Sequence, residues 1–279
     1  MRRSVLAAAV ATLAVLVMAP APAAARTAAP DPVRALKKQL KAERGVKLTE
    51  LSQSGSGLTF TRLRIKSSVQ LSPSGPVAAY SLVEEVDDGG GSTEVLGFPR
   101  AIYLGGEDLA ELLSRGKSWV GFEGLEESTV NTTAYATEQQ IHVFDPAVLK
   151  ALLKGKRAEP VSGGYSYQGV VTFEELYEAS KSYYADKFRG LKRGGLAKMK
   201  ISWRLWTDRE GLIQRLRAKE SLGTGKHRYV NTADTRFSDW GHTLTLSPPA
   251  EDEVLLFDDL DQIEIPEPGL RADGAPGLR

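Results

Sequence analysis

Apolar residues switch between two spacings along this chain. Val33, Leu36 and Leu40 recur at helical spacing behind Asp31 and Pro32, an N-cap followed by proline at the first helical position, and Gly45 stops the pattern. From Leu58 to Leu71 the spacing becomes two. Leu63 and Ile65 alternate with Arg62, Arg64 and Lys66, which predicts a strand with one apolar and one charged face. Turn residues at Ser72 to Pro76 and Asp87 to Gly91 bracket strands at Val77 to Val86 and Thr93 to Phe98, an antiparallel meander. Ala101 to Leu104 and Ser118 to Phe122 read as strands on either side of a short helix from Glu107 to Arg115. Asp145 and Pro146 repeat the cap device and open a helix, Ala147 to Lys154, that Gly155 closes. A strand at Gly164 to Val171 runs into Thr172 and Glu175, a capping-box spacing at the head of one helix from Phe173 to Arg189. Strands follow at Lys200 to Trp206, Leu212 to Ser221, Tyr229 to Phe237 and Thr243 to Leu246. Strands in runs with a few inserted helices predict an α+β fold on an antiparallel sheet, not a parallel βαβ sheet.

The first residues change the picture of where this fold works. Arg2 and Arg3 precede an apolar run from Val5 to Met18, prolines at 20 and 22 break it, and Ala23 to Ala25 offer a small-residue cleavage pattern. A membrane span needs about 20 apolar residues, and this run is shorter, so residues 1–25 are expected to be a cleaved signal peptide and the protein to be secreted. Residues 26–256 form the expected domain, and 257–279 an acidic, then Gly/Pro-rich disordered tail. The chain has no cysteine, which excludes disulfides and thioether lipidation, so no covalent membrane anchor is expected. Charges nearly balance, with 36 Lys plus Arg against 35 Asp plus Glu, where a nucleic-acid binder shows a basic excess.

Candidate chemistry is thin. His142, His227 and His242 do not stand at metal-ligand spacing, so no metal or cofactor is expected. Ser238, Asp239 and His242 lack a nucleophile elbow, and strand alternation points Ser238 and Asp239 to opposite faces. Gly116, Lys117 and Ser118 end like a phosphate loop, but the required upstream glycine is Glu111. The aromatic set Trp119, Trp203, Trp206, Trp240, Tyr184 and Phe188 reads either as plain core or as the wall of an apolar cavity.

Three segments in order carry a resemblance. Gly164 to Val171 precedes a helix. The run Trp203, Leu205, Trp206, Asp208, Gly211, Leu212 makes a W-x-L-W-x-D-x-x-G-L hairpin. Phe237, Ser238, Asp239, Trp240 and Gly241 lead to Pro248, Pro249, Ala250, Glu251, Asp252, Glu253 and Val254. Upstream, Lys117 and Trp119 fit a GK-x-W-V segment. This pattern resembles the LolA-like superfamily, and within it the LppX/LprG-type secreted lipoproteins of high-GC Gram-positive bacteria. The resemblance implies a strongly curved antiparallel half-barrel with helices on its concave face, an apolar interior that binds acyl chains, and no catalytic apparatus. Those relatives carry a lipobox cysteine; this chain has none. The implied function is a non-catalytic carrier for a lipid or other hydrophobic molecule, with Ile201, Trp203, Leu205, Tyr184 and Phe188 as cavity residues. The alternative is a non-liganded structural or interaction module with the same fold, partnered by an envelope protein.

Overall fold

The computed structural model describes residues 29–57, 59–87, 91–110, 113, 116–187, 198–222 and 228–262. The expected signal peptide, the tail beyond residue 262, Phe188 and His227 lie outside them. Twelve strands form one sheet in the order β12-β6-β5-β4-β3-β2-β1-β11-β10-β9-β8-β7. It is a large, curved, unclosed antiparallel sheet with few helices, a half-barrel.

The sheet consists of two chain-consecutive meanders. The first holds β1 (Arg44–Ser56), β2 (Thr59–Ser72), β3 (Gly75–Glu85), β4 (Ser92–Phe98), β5 (Ala101–Gly106) and β6 (Trp119–Phe122). The second holds β7 (Glu159–Val161), β8 (Gly164–Thr172), β9 (Lys200–Asp208), β10 (Ile213–Leu222) and β11 (Tyr229–Thr243). β1 and β11 join the two halves along a register from Arg44↔Thr243 to Ser56↔Tyr229. A three-residue strand β12 (Val254–Leu256) adds to β6 in the one parallel pairing among the described residues.

The helices are short. α1 (Pro32–Gln39) starts on Asp31, whose carboxylate accepts the Val33 N–H at 2.9 Å. α2 (Thr129–Thr133) packs against β3 and β4. α3 (Pro146–Leu153) opens with the same Asp-Pro device as α1. α4 (Phe173–Ala179) carries the full capping box between Thr172 and Glu175, and α5 (Lys181–Lys187) follows it.

Several sequence expectations change here. The single helix from 173 to 189 is two helices, broken at Ser180, whose φ of −147° and ψ of 78° are not helical. The helix expected at 107–115 is, among the described residues, a 3-10 turn at Glu107–Leu109. No strand forms at 243–246; instead β11 runs on to Thr243 through a bulge. Three residues of β1 (Gly45 to Lys47) there oppose five of β11 (Ser238 to His242). Asp239 and Gly241 take positive φ, 53° and 79°, and absorb the extra residues. The bulge rotates Trp240 onto the core, where it stacks on Phe237 at 5.9 Å and its indole N–H donates to the Ile213 carbonyl at 2.8 Å.

β1 itself and β7 were not expected. β1 alternates properly, with Val46, Leu48, Glu50 and Ser52 buried, but half of its inward positions are polar and Leu51 points out.

Candidate functional site

The concave face is built from strand alternation. On β9, Ile201, Trp203 and Leu205 point inward and are 0%, 4% and 0% exposed. Register sets them beside Val171, Gly169 and Tyr167 of β8 and beside Glu220, Ala218 and Leu216 of β10. Gly169 leaves room for the Trp203 indole; a Cβ there would lie 3.1 Å from the ring. Above this floor sit Leu36 of α1, Val148, Leu149 and Leu152 of α3, Phe173 and Leu176 of α4, and Tyr183 and Tyr184 of α5, all in one buried cluster.

A belt of rings crosses the interior. Phe173 meets Tyr184 edge-on at 5.6 Å, Tyr184 meets Tyr183 at 5.1 Å, and Tyr183 stacks on His142 at 3.9 Å. Phe144 continues the belt to Phe237 at 6.1 Å. Four of the five cavity residues expected from sequence, Ile201, Trp203, Leu205 and Tyr184, therefore share one core; the fifth, Phe188, lies outside the described residues.

The segment 134–145 fills the space between floor and helices. Ala136, Ile141, Val143 and Phe144 are its apolar plug, each nearly or fully buried. Polar bonds strap it down from several sides. Ser67 Oγ donates to the Ala136 carbonyl at 2.8 Å, and Lys187 Nζ to the Gln139 carbonyl at 2.9 Å. Tyr184 Oη accepts the His142 N–H at 3.2 Å and donates to the Gln140 carbonyl at 2.9 Å. Gln139 Nε2 donates to the Leu216 and Ala233 carbonyls and to Thr235 Oγ1, at 3.1, 3.2 and 2.8 Å. Against this plug a cavity of about 10 Å³ remains, lined by Leu48, Ile141, Phe144, Tyr183 and Phe237 among others. That is room for about one water. Ile201, Trp203, Leu205 and Tyr184 do not line it.

Sequence reasoning missed the polar centre of the interior. Glu50 of β1 is 3% exposed and accepts hydrogen bonds from the Glu138 N–H at 2.7 Å, from Thr235 Oγ1 at 2.5 Å and from Thr137 Oγ1. Desolvation raises its carboxyl above the ordinary range although all three donors pull the other way. Glu220 lies further along the same face, held by Asn231 Nδ2 at 3.0 Å and likewise raised by burial. Burial lowers the His142 imidazole to about 3, so it is neutral at physiological pH. Among the described residues no group of three or more His, Asp or Glu side chains could hold a metal, and His142 and His242 stand in different surroundings, His142 in the ring belt and His242 on the edge of the β11 bulge. Ser238 and Asp239 are both exposed, because the bulge interrupts the alternation expected between them. The signal that could have exposed the polar centre is an inverted alternation in 50–52, with Glu50 and Ser52 inside and Leu51 outside.

No known family profile matches the chain, and no curated protein matches it. Solved structures are similar to it at low identity. One is a LolA superfamily protein from Nitrosomonas europaea, 9% identical, covering 77% of this chain and 94% of its own, with a TM-score of 0.27. Another is a DUF1329 family protein from Desulfovibrio piger, 12% identical, covering 78% and 95%, with a TM-score of 0.26. A third is a protein domain of the outer membrane lipoprotein-sorting kind from Vibrio parahaemolyticus, 10% identical, covering 83% and 95%, with a TM-score of 0.27.

Proposed function

We propose that this chain is a secreted, non-catalytic binding protein that buries a lipid or other hydrophobic molecule between its half-barrel and the covering segments. The observation that carries this reading is the division of the interior into an apolar floor and a separable cover. The floor is an aliphatic and aromatic sheet face around the polar centre at Glu50. The cover is segment 134–145 and helices of eight residues or fewer, held on the sheet by apolar packing and by hydrogen bonds. Short helices are marginal alone and depend on their apolar faces for stability, so an acyl chain that supplies the same contacts can take the cover's place. Each buried methylene contributes about 0.8 kcal/mol, enough for a long chain to compete with the plug. Ile201, Trp203, Leu205 and Tyr184, with Phe188, are the proposed contacts. The sequence motifs at 203–212 and 237–241 support the same reading through their resemblance to LppX/LprG-type proteins.

A second reading rests on the plug itself. The chain's own segment 134–145 occupies the space over the floor, and the cavity left against it holds only about 10 Å³, which favours a non-liganded module that meets an envelope protein. Native mass spectrometry of the mature protein from a secreting host, before and after organic extraction, separates the two. A bound mass in the lipid range, lost on extraction, together with uptake of a fluorescent fatty acid that Trp203→Ala weakens, supports the carrier. A clean apo mass with no uptake supports the module.

A further inference from the structure

The outward face of the half-barrel carries a pattern that its interior does not explain. Register aligns outward side chains of β9, β10, β11, β1 and β2 in rows across the sheet. One row holds Arg215, Arg236 and Lys66, with Trp206 at its β9 end. The next holds Arg204, Arg217 and Arg64, and the third Lys219 and Arg62. Five strands at about 4.8 Å and three rows at about 6.8 Å make a patch of roughly 19 by 14 Å. The whole chain has a formal net charge of only +1, so this face concentrates cations that other surfaces offset.

Acidic groups sit mainly at its margins. Glu84 of β3 lies 3.8 Å from Arg64 and 3.6 Å from Lys66, and Asp87 pairs with Arg62. Inside the patch, Asp234 is taken by Arg215, whose Nε donates to it at 2.6 Å. Arg217, Lys219 and Arg236 are exposed, and among the described residues none of them closes an ion pair. Arg204 and Arg215 each lie 5.0 Å from the Trp206 ring, which holds two guanidinium groups in place. Apolar side chains stand among these charges. Leu51 is 51% exposed between Asp234 and Arg64, Val170 is 51% exposed beside Ser202, and Phe60 is 38% exposed two residues before Arg62.

We propose that this convex face docks onto an anionic lipid bilayer surface. The cations spread in two dimensions, over five strands and three rows, rather than along one line. Spread cations gain from a surface of like extent, and exposed Leu51, Val170 and Phe60 gain from the acyl boundary beneath the headgroups. The docking surface is separate from the covered interior, so it stands whether or not the interior takes a ligand.

Co-sedimentation of the mature full chain with phosphatidylglycerol/phosphatidylcholine vesicles tests this, against pure phosphatidylcholine and against soluble polyphosphate, at 50 and 500 mM NaCl. We expect binding to the anionic vesicles alone, lost at high salt. The double substitution Arg217→Gln with Arg236→Gln, at exposed positions outside the core, should weaken binding about tenfold or more. Leu51→Ser should weaken it by about threefold with the salt dependence unchanged. Equal binding to neutral vesicles, unaltered binding of the double variant with its circular dichroism intact, or binding to polyphosphate without binding to vesicles would overturn the proposal.

Discussion

His142 and Glu50 are both buried, with opposite costs. The unfolded chain's imidazole takes up a proton below about 6.5, whereas the folded one refuses it until about 3. The unfolded state therefore binds more protons in that window, and native stability falls as pH drops from 6.5 towards 3. Glu50 works in the other direction. Its folded carboxyl is raised above the ordinary 4.5 by desolvation, so the stability its protonated form contributes is present below that value and is lost as pH rises through the folded one. His142→Phe keeps a ring to stack on Tyr183 and removes the proton. Urea unfolding across pH 4 to 8 should show the acid-side loss shrink in this variant, while Glu50→Gln should flatten the decline on the alkaline side. If the His142→Phe profile matches the wild type below pH 6, the imidazole is solvated in the native state and the ring belt is looser than described.

At the scale of elements, what could be read in the sequence follows the cleanness of each alternation. β2 and β9 were legible because Leu63 and Ile65, and Ile201, Trp203 and Leu205, hold one face without interruption. The Asp-Pro caps of α1 and α3 and the Thr172–Glu175 box were legible because capping is local chemistry. β1 escaped because Glu50 and Ser52 occupy inward positions that only long-range partners, Thr235 and segment 137–139, make tolerable. For the same reason the plug and the polar centre of the site were invisible, although the aromatic and aliphatic floor was named. The break at Ser180 was hidden because tertiary contacts, not propensity, decide where the helix from Phe173 turns. The bulge in β11 was hidden because it depends on register with β1. Its glycine is testable: Gly241 sits at φ 79°, and a Cβ there would come within 2.9 Å of Gln39 Oε1. Gly241→Ala should cost about 1–2 kcal/mol in urea denaturation, with Trp240 emission shifted to the red as its ring leaves Phe237. A neutral substitution would mean that the bulge has another conformation open to it.

For the whole molecule, an open sheet leaves two edges, and β12 shields one of them. Val254–Leu256 pairs with β6, and Phe257 stacks on Phe122 at 4.7 Å. Truncation after Ala250 bares the β6 ladder, an invitation to pairing between chains. We expect a melting temperature lower by several degrees and concentration-dependent self-association in light scattering; a monomer of unchanged stability would show that the edge is protected by its own shortness. The junction of the two meanders has a different consequence. Every neighbour pairing within each meander is between strands adjacent in sequence, but β1 must find β11, with Leu48 opposite Phe237 and Thr235 opposite Glu50. A chain emerging from its N-terminus can thus assemble β1 to β6 early, yet β1 keeps a bare flank until some two hundred further residues have followed it. Glu50 spends that interval in water as an ordinary carboxylate and is buried only when Thr235 arrives. Completion of the fold is a late, long-range zipping event, and the newborn chain is most vulnerable at the strand that finally becomes its centre.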